Sequence, residues 1–314
     1  MGDCLFPLAA SSEYRMGDPL ILPPLHIPKL LREFGLHPDK RLGQNFLIDP
    51  TALQRVVEAA NISGQDTVLE IGPGLGSLTR YLAQRARKVI AIEIDPNLIA
   101  PLEQVISQYR NIELIQGDIL TLPVQEFIPS SDYLVVANIP YYITSAIIRR
   151  LLSTENRPKR IILTVQYELA KRICAMPGDL SLLALSVQVF GAPRLQARIP
   201  AGAFYPSPKV DSAIISIDLF LEPIIPIPIL DAFFYLAQAG FSQKRKTLRN
   251  ALSAGLHQQP KNIEKILLQA GIEPQRRAET LNLTEWRSLT QLFVDRFPEI
   301  LSGKVSLLDK TNSP

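Results

Sequence analysis

The chain has 314 residues, 46% of them apolar, enough to bury one substantial core and a second, smaller one. Its formal charge of +3 is only mildly basic, so the total excludes no class of partner and the placement of Lys and Arg has to carry that question. Two cysteines, Cys4 and Cys174, and three histidines exclude a disulfide framework and leave little for a metal site, which points to a metal-free protein of a reducing compartment, the cytoplasm.

Residues 1–28 read as a loose, disordered extension. Asp3 stands where a secretory signal carries positive charge, Glu13 argues against a transit peptide, Phe6 breaks the myristoylation pattern, and Met16 offers an alternative start. No run approaches the roughly twenty apolar residues that span a bilayer. The richest, Ile224 to Leu230, is broken by Pro226 and Pro228. Asp49 followed by Pro50 reads as an N-cap and first residue of a helix.

From Asp66 onward, short β-branched runs alternate with helix-length amphipathic stretches. The runs are 67–71, 88–92, 112–115, 133–136 and 160–165. That alternation predicts βαβ units, hence an α/β, doubly wound Rossmann-like domain over 29–221 with a buried parallel sheet. Near 222 the pattern changes. The segment E-P-I-I-P-I-P reads as a connector, and 222–314 reads as a small helical domain with helices near 229–240, 245–254, 260–269 and 284–297. Phe233 and Phe234 read as its core.

The first strand runs into Glu70-Ile71-Gly72-Pro73-Gly74-Leu75-Gly76-Ser77, a glycine-rich turn at the carboxyl edge of the sheet, where ligands of open α/β folds bind. A tight turn without a ligand explains the glycines equally well on their own. A dinucleotide site wants glycine at position 77 to bring the helix N-terminus to a pyrophosphate, and Ser77 stands there instead. Glu93, at the end of the second strand, offers a carboxylate to two ribose hydroxyls, and Asp118, at the end of the third, offers an acceptor to an adenine amine. Either acid alone also suits a solvated strand end or a helix cap. Together they describe an adenosine pocket without a phosphate clamp, which fits S-adenosyl-L-methionine. The fourth strand ends in Asn138-Ile139-Pro140-Tyr141-Tyr142. Asn138 and the carbonyl of Ile139 or Pro140 are positioned to accept both N–H bonds of an adenine amine, and Tyr141 to stack on an extruded base.

The segments R-L-G-Q-N-F-L (41–47), V-L-E-I-G-P-G-L-G-S-L-T (68–79), E-I-D (93–95), G-D (117–118), N-I-P-Y-Y (138–142), A-F-Y-P-S-P-K-V-D-S-A (203–213) and F-S-Q-K-R-K-T-L-R-N-A-L (241–252) resemble the ribosomal-RNA adenine N6-dimethyltransferases. The resemblance is to the bacterial type that modifies two adjacent adenosines near the 3′ end of small-subunit (16S) rRNA during ribosome assembly. It runs from about 29 to 290. It implies the class I S-adenosylmethionine-dependent methyltransferase fold, cofactor contacts at Asn45, Leu47, Gly72, Glu93, Asp118 and Asn138, and catalytic roles for Asn138, Pro140, Tyr141 and Phe204, the last two as base-handling aromatics. It also implies that Gly43 to Leu47 cover the cofactor and that the protein binds rRNA; a monomer with no membrane partner is expected. Leu42 and Ile139 depart from the Phe and Leu frequent at those positions, both as conservative packing changes. The large-subunit antibiotic-resistance methylases usually read glycine-threonine-glycine-lysine in the first motif, unlike Gly72 to Leu75.

With such a substrate, Lys244, Arg245, Lys246 and Arg249 become phosphate contacts rather than a merely solvated helix face, extended by Arg149, Arg150, Lys159 and Arg160. Two other readings are an RNA-binding assembly factor without catalysis and a nicotinamide-dependent oxidoreductase. The intact N-I-P-Y motif speaks against the first, Ser77 against the second.

Overall fold

The computed structural model describes residues 22–301. Of the expected extension, residues 1–21 lie outside the described residues. Residues 22–28 are anchored at two points while Pro23, Pro24 and His26 stay exposed: Ile27 is fully buried and opens α1 (Ile27–Glu33), and the Pro23 carbonyl accepts a hydrogen bond from Arg80 at 2.6 Å. The chain then forms β1 (Phe46–Leu47), α2 (Pro50–Ala60), β2 (Thr67–Ile71), α3 (Ser77–Ala83), β3 (Lys88–Glu93), α4 (Pro96–Ile106), β4 (Ile112–Gln116), α5 (Val124–Phe127), β5 (Tyr133–Asn138), α6 (Thr144–Ser153), β6 (Arg160–Gln166), α7 (Tyr167–Ile173), α8 (Leu182–Gln188), β7 (Gly191–Ile199), β8 (Phe204–Tyr205) and β9 (Ser212–Leu219). As expected, Asp49 caps α2, its carboxylate accepting the Ala52 N–H at 2.7 Å.

The seven-stranded sheet has the order β4-β3-β2-β5-β6-β9-β7. The first five strands are parallel, but β9 runs antiparallel to both β6 and β7. The expected parallel sheet is therefore mixed. The connection from β7 to β9 holds β8 and no α-helix, so it returns the chain without the helical crossover that parallel neighbours use. Side-chain alternation divides the sheet between two layers. Val68, Val89, Leu134, Val136, Ile162 and Ile214 pack with α2 and α3. Leu69, Ile71, Ile90, Val135, Leu163 and Ile215 face the opposite layer.

Beyond the connector come α9 (Ile227–Phe241), α10 (Leu248–Gly255), α11 (Pro260–Gln269) and α12 (Leu283–Arg296). Asn282 and Glu285 form a capping box at the start of α12. Phe233 and Trp286 are fully buried, their rings 6.2 Å apart edge to face, and Phe234 lies 5.0 Å from Phe233. This helical core is continuous with the second face of the sheet. No helix among the described residues is long and apolar enough to cross a membrane.

Candidate active site

The carboxyl ends of β2, β3, β4 and β5 converge on one cavity of about 330 Å³. Gly72, Glu93, Asp118, Asn138, Pro140 and Tyr141 line it, together with Asn45 and Leu47 from the segment that precedes the sheet. The turn from β2 into α3 is left-handed at Gly72 and Gly74, with φ of +68° and +59°. A Cβ at Gly74 would lie 3.0 Å from the Phe46 ring, whereas one at Gly72 would meet no atom within 4 Å. The turn is thus pressed against β1 on one side and open to a ligand on the other.

Glu93 anchors this turn. Its buried carboxylate accepts the Gly74 N–H at 2.9 Å and the Asp95 N–H at 2.9 Å, and burial raises its pKa above the usual carboxylate range. Each oxygen keeps a lone pair for a ribose hydroxyl. Asp118 uses one oxygen to accept the Leu120 N–H at 2.9 Å. Its second oxygen accepts no hydrogen bond among the described residues.

The segment before the sheet is bolted in place at both ends. Gln44 donates to Asp95 at 2.6 Å and accepts the Asp39 N–H at 2.8 Å, and Leu47 pairs with Phe204 across the β1–β8 ladder. Asn45 donates to the Gly43 carbonyl at 3.0 Å, and the Asn45 carbonyl accepts from Asn138 Nδ2 at 3.0 Å. A carbonyl can only accept, so this contact sets the Asn138 amide with Nδ2 toward Asn45 and leaves Oδ1 without a protein donor among the described residues.

Three expectations are corrected. The Pro140 carbonyl accepts the Ile143 N–H at 3.3 Å and the Thr144 hydroxyl at 3.4 Å, so both its lone pairs serve the turn that follows. The Ile139 carbonyl carries no such bond among the described residues and is left open. Phe204 does not line the cavity. It is 3% exposed and packs in the core under α2 and α3, where it supports the segment bearing Asn45. The cationic patch is also smaller than expected. Lys159 pairs with Asp66 and Asp132 at 2.6 and 2.9 Å, and Arg160 pairs with Asp218. Both sit where β6 begins, the opposite edge of the sheet from the cavity. Arg150 donates to the Leu122 carbonyl at 3.0 Å. Arg249 pairs with Glu264 at 3.0 Å, tying α10 to α11. Lys244, Arg245 and Lys246 are exposed on the loop between α9 and α10, and Arg149 is exposed on α6.

Two residues escaped the sequence reading. Glu70 lines the cavity from within β2, is 1% exposed, and has a carboxylate oxygen with no hydrogen-bond partner. Desolvation pushes its carboxyl up to about 8, and the charge of Glu93 adds to the rise. A carboxylate inside the motif V-L-E-I-G was the available signal. Ser212 meets the Tyr141 hydroxyl at 2.6 Å across 71 residues of sequence, and no local pattern announces that contact.

Residues 36–289 match the family described as ribosomal RNA adenine dimethylase. A ribosomal RNA small subunit methyltransferase A from Dehalococcoides mccartyi is 42% identical over 290 residues, covering 92% of this chain and 97% of its own. One from Geobacillus thermodenitrificans is 40% identical over 288 residues, covering 88% and 98%. Among solved structures, a dimethyladenosine transferase from Plasmodium falciparum superposes with a TM-score of 0.71 at 29% identity, covering 79% of this chain and 97% of that one. The 23S rRNA methyltransferase ErmE superposes with 0.64 at 30% identity, covering 79% and 99%. A class I methyltransferase sheet, four strand ends meeting at one adenosine-sized cavity and a family match across most of the chain agree: this protein belongs to the ribosomal RNA adenine dimethylases.

Proposed function

We propose that this enzyme dimethylates N6 of two adjacent adenosines near the 3′ end of 16S rRNA, as a cytoplasmic monomer acting in small-subunit assembly. The relatives named for the small subunit are 42% and 40% identical over nearly their whole length, against 30% for the 23S rRNA methyltransferase, which supports that substrate over the large subunit. The observation that carries the chemistry is the orientation of Asn138: with Nδ2 held by the Asn45 carbonyl, Oδ1 is the atom left to accept from a substrate amine.

The cavity fits S-adenosylmethionine. Glu93 would take the ribose hydroxyls, Asp118 the adenine amine, the open space at Gly72 the chain beyond the ribose, and the buried Glu70, with its one open oxygen, a cationic group. The cofactor supplies a methyl group already activated on a sulfonium. An adenine N6 is a poor nucleophile because its lone pair is delocalised into the ring. Asn138 Oδ1 and the Ile139 carbonyl, accepting its two N–H bonds, favour the pyramidal geometry in which that lone pair is available. As the new N–C bond forms, the N6 proton is acidified and leaves to solvent. Rate enhancement then comes from proximity, orientation and fixed dipoles rather than from a general base. After the first methyl one N–H remains, and one acceptor suffices to hold it.

The test is incubation with labelled methyl donor and under-methylated small subunits, followed by mapping of the modified nucleosides. Two adjacent N6,N6-dimethyladenosines are expected; label on large-subunit RNA alone contradicts the reading.

A further inference from the structure

Two consecutive tyrosines follow Pro140, and they are held differently. Tyr141 is half-buried and tied through its hydroxyl to the fully buried Ser212. Tyr142 is 64% exposed, yet its side chain lines the same cavity. One edge of its ring rests on Gly43: a Cβ there would lie 3.2 Å from Cε1 and 3.3 Å from Cδ1 of Tyr142, and 3.2 Å from Pro140 Cβ. Gly43 has φ of +61°, so the position favours glycine both for its backbone and for this contact. The ring is therefore steadied along one edge and left open to solvent over most of its surface. Its hydroxyl makes no hydrogen bond among the described residues.

A base that turns into the cavity leaves its neighbour on the strand without a stacking partner, just outside the mouth. The structure puts an exposed aromatic ring at that mouth, adjacent in sequence to the tyrosine assigned to the turned-in base. We propose that Tyr142 is a second nucleobase-stacking site, taking the base next to the adenine held at Asn138, so that the enzyme grips its RNA as a dinucleotide. The proposal rests on the rRNA adenine reading above. Stacking uses the π-face of a purine and not its N6 hydrogens, so the site accepts a neighbour whether or not it is already methylated. Two adjacent targets can therefore exchange places between the cavity and the ring without a second recognition surface.

The test uses the full chain, S-adenosylmethionine and a short small-subunit RNA hairpin carrying 2-aminopurine beside the target adenine. Wild type and Tyr142→Phe should quench its fluorescence. Tyr142→Leu keeps an apolar contact with Gly43 but has no π-face. It should lose the quenching and raise KM for RNA roughly ten-fold, at unchanged affinity for S-adenosylmethionine. A leucine variant that quenches and methylates with the wild-type KM overturns the proposal. If that variant also binds S-adenosylmethionine more weakly, the segment over the cavity has shifted, and Tyr142→Trp decides. Retained quenching with an equal or lower KM supports the site, and lost quenching overturns it. Failure of the underlying reading would show separately, as no methyl transfer to this RNA by the wild type.

Discussion

The hydroxyl of Tyr141 meets Ser212 Oγ at 2.6 Å, joining the turn after β5 to the first residue of β9. The two strands are not neighbours in the sheet, since β6 lies between them. The bond anchors the hydroxyl end of the ring assigned to the substrate base, and Ser212, fully buried, has little freedom to move away. Tyr141→Phe and Ser212→Ala should each lower kcat/KM for RNA about five-fold, the worth of one neutral hydrogen bond. The double variant should lose no more than either single one. Steady-state kinetics on the three variants checks this, and multiplicative losses would show that the contact is not shared.

Gly74 ties three parts of the site together. Its N–H reaches Glu93, its backbone is left-handed, and its missing side chain makes room for Phe46. Gly74→Ala introduces left-handed strain of about 1–2 kcal/mol together with a clash against the Phe46 ring. Affinity for S-adenosylmethionine, measured by calorimetry, should fall by at least about ten-fold.

Glu70 predicts a pH dependence of stability. Its carboxyl is raised in the folded protein to about 8 from an ordinary value of 4.5. Folding therefore favours the protonated form. This contribution is fully present below about pH 4.5 and is lost as pH rises toward 8, with a magnitude on the order of 5 kcal/mol. Glu70→Gln, which cannot ionise, should flatten that decline. Thermal unfolding of the cofactor-free protein at pH 5 and pH 8 should show a larger drop in Tm for the wild type than for the variant. Equal drops would mean that Glu70 is ionised at both values.

The cations divide into two groups with different expected phenotypes. Replacing Lys244, Arg245 and Lys246 together with glutamine should reduce the slope of log Kobs against log salt for rRNA binding by about 2, and leave Tm unchanged. Arg249→Gln removes the tie from α10 to Glu264 on α11, so it should lower Tm with little change in the salt slope. Filter binding across a salt series, beside thermal unfolding, separates the two.

Much of this architecture is readable in the chain. Four of the parallel strands, β2, β3, β5 and β6, announce themselves as apolar runs because both faces are buried, while the edge strand β4 is only partly covered. Gly72, Glu93, Asp118 and Asn138 all stand at strand ends, where position alone suggests a ligand. The antiparallel strands were less legible. β7 reads G-A-P-R-L-Q-A-R-I, with Pro193 and three polar or charged positions, Arg194, Gln196 and Arg198, tolerated because it is an edge strand with one neighbour. Phe204 was assigned to the base because its motif is distinctive, but packing under α2 and α3 decides its place. The division of labour between Pro140 and Ile139 depends on which carbonyl the next turn uses, and hydrogen bonding of that kind is written in three dimensions. Lys159 and Arg160 were read as part of an RNA surface because sequence shows charge without showing the partners, Asp66, Asp132 and Asp218, that neutralise it.

The central claim is that the side-chain carbonyl of Asn138, oriented by the Asn45 carbonyl, activates and aligns the adenine amine. Single-turnover methylation of under-methylated small subunits by Asn138→Ala tests it most directly, with S-adenosylmethionine affinity and Tm measured on the same preparation. The account predicts a loss of at least about a hundred-fold in rate, the scale of removing one pre-oriented polar contact from a reacting group, in a protein that still folds. Methylation at the wild-type rate by that variant would contradict it.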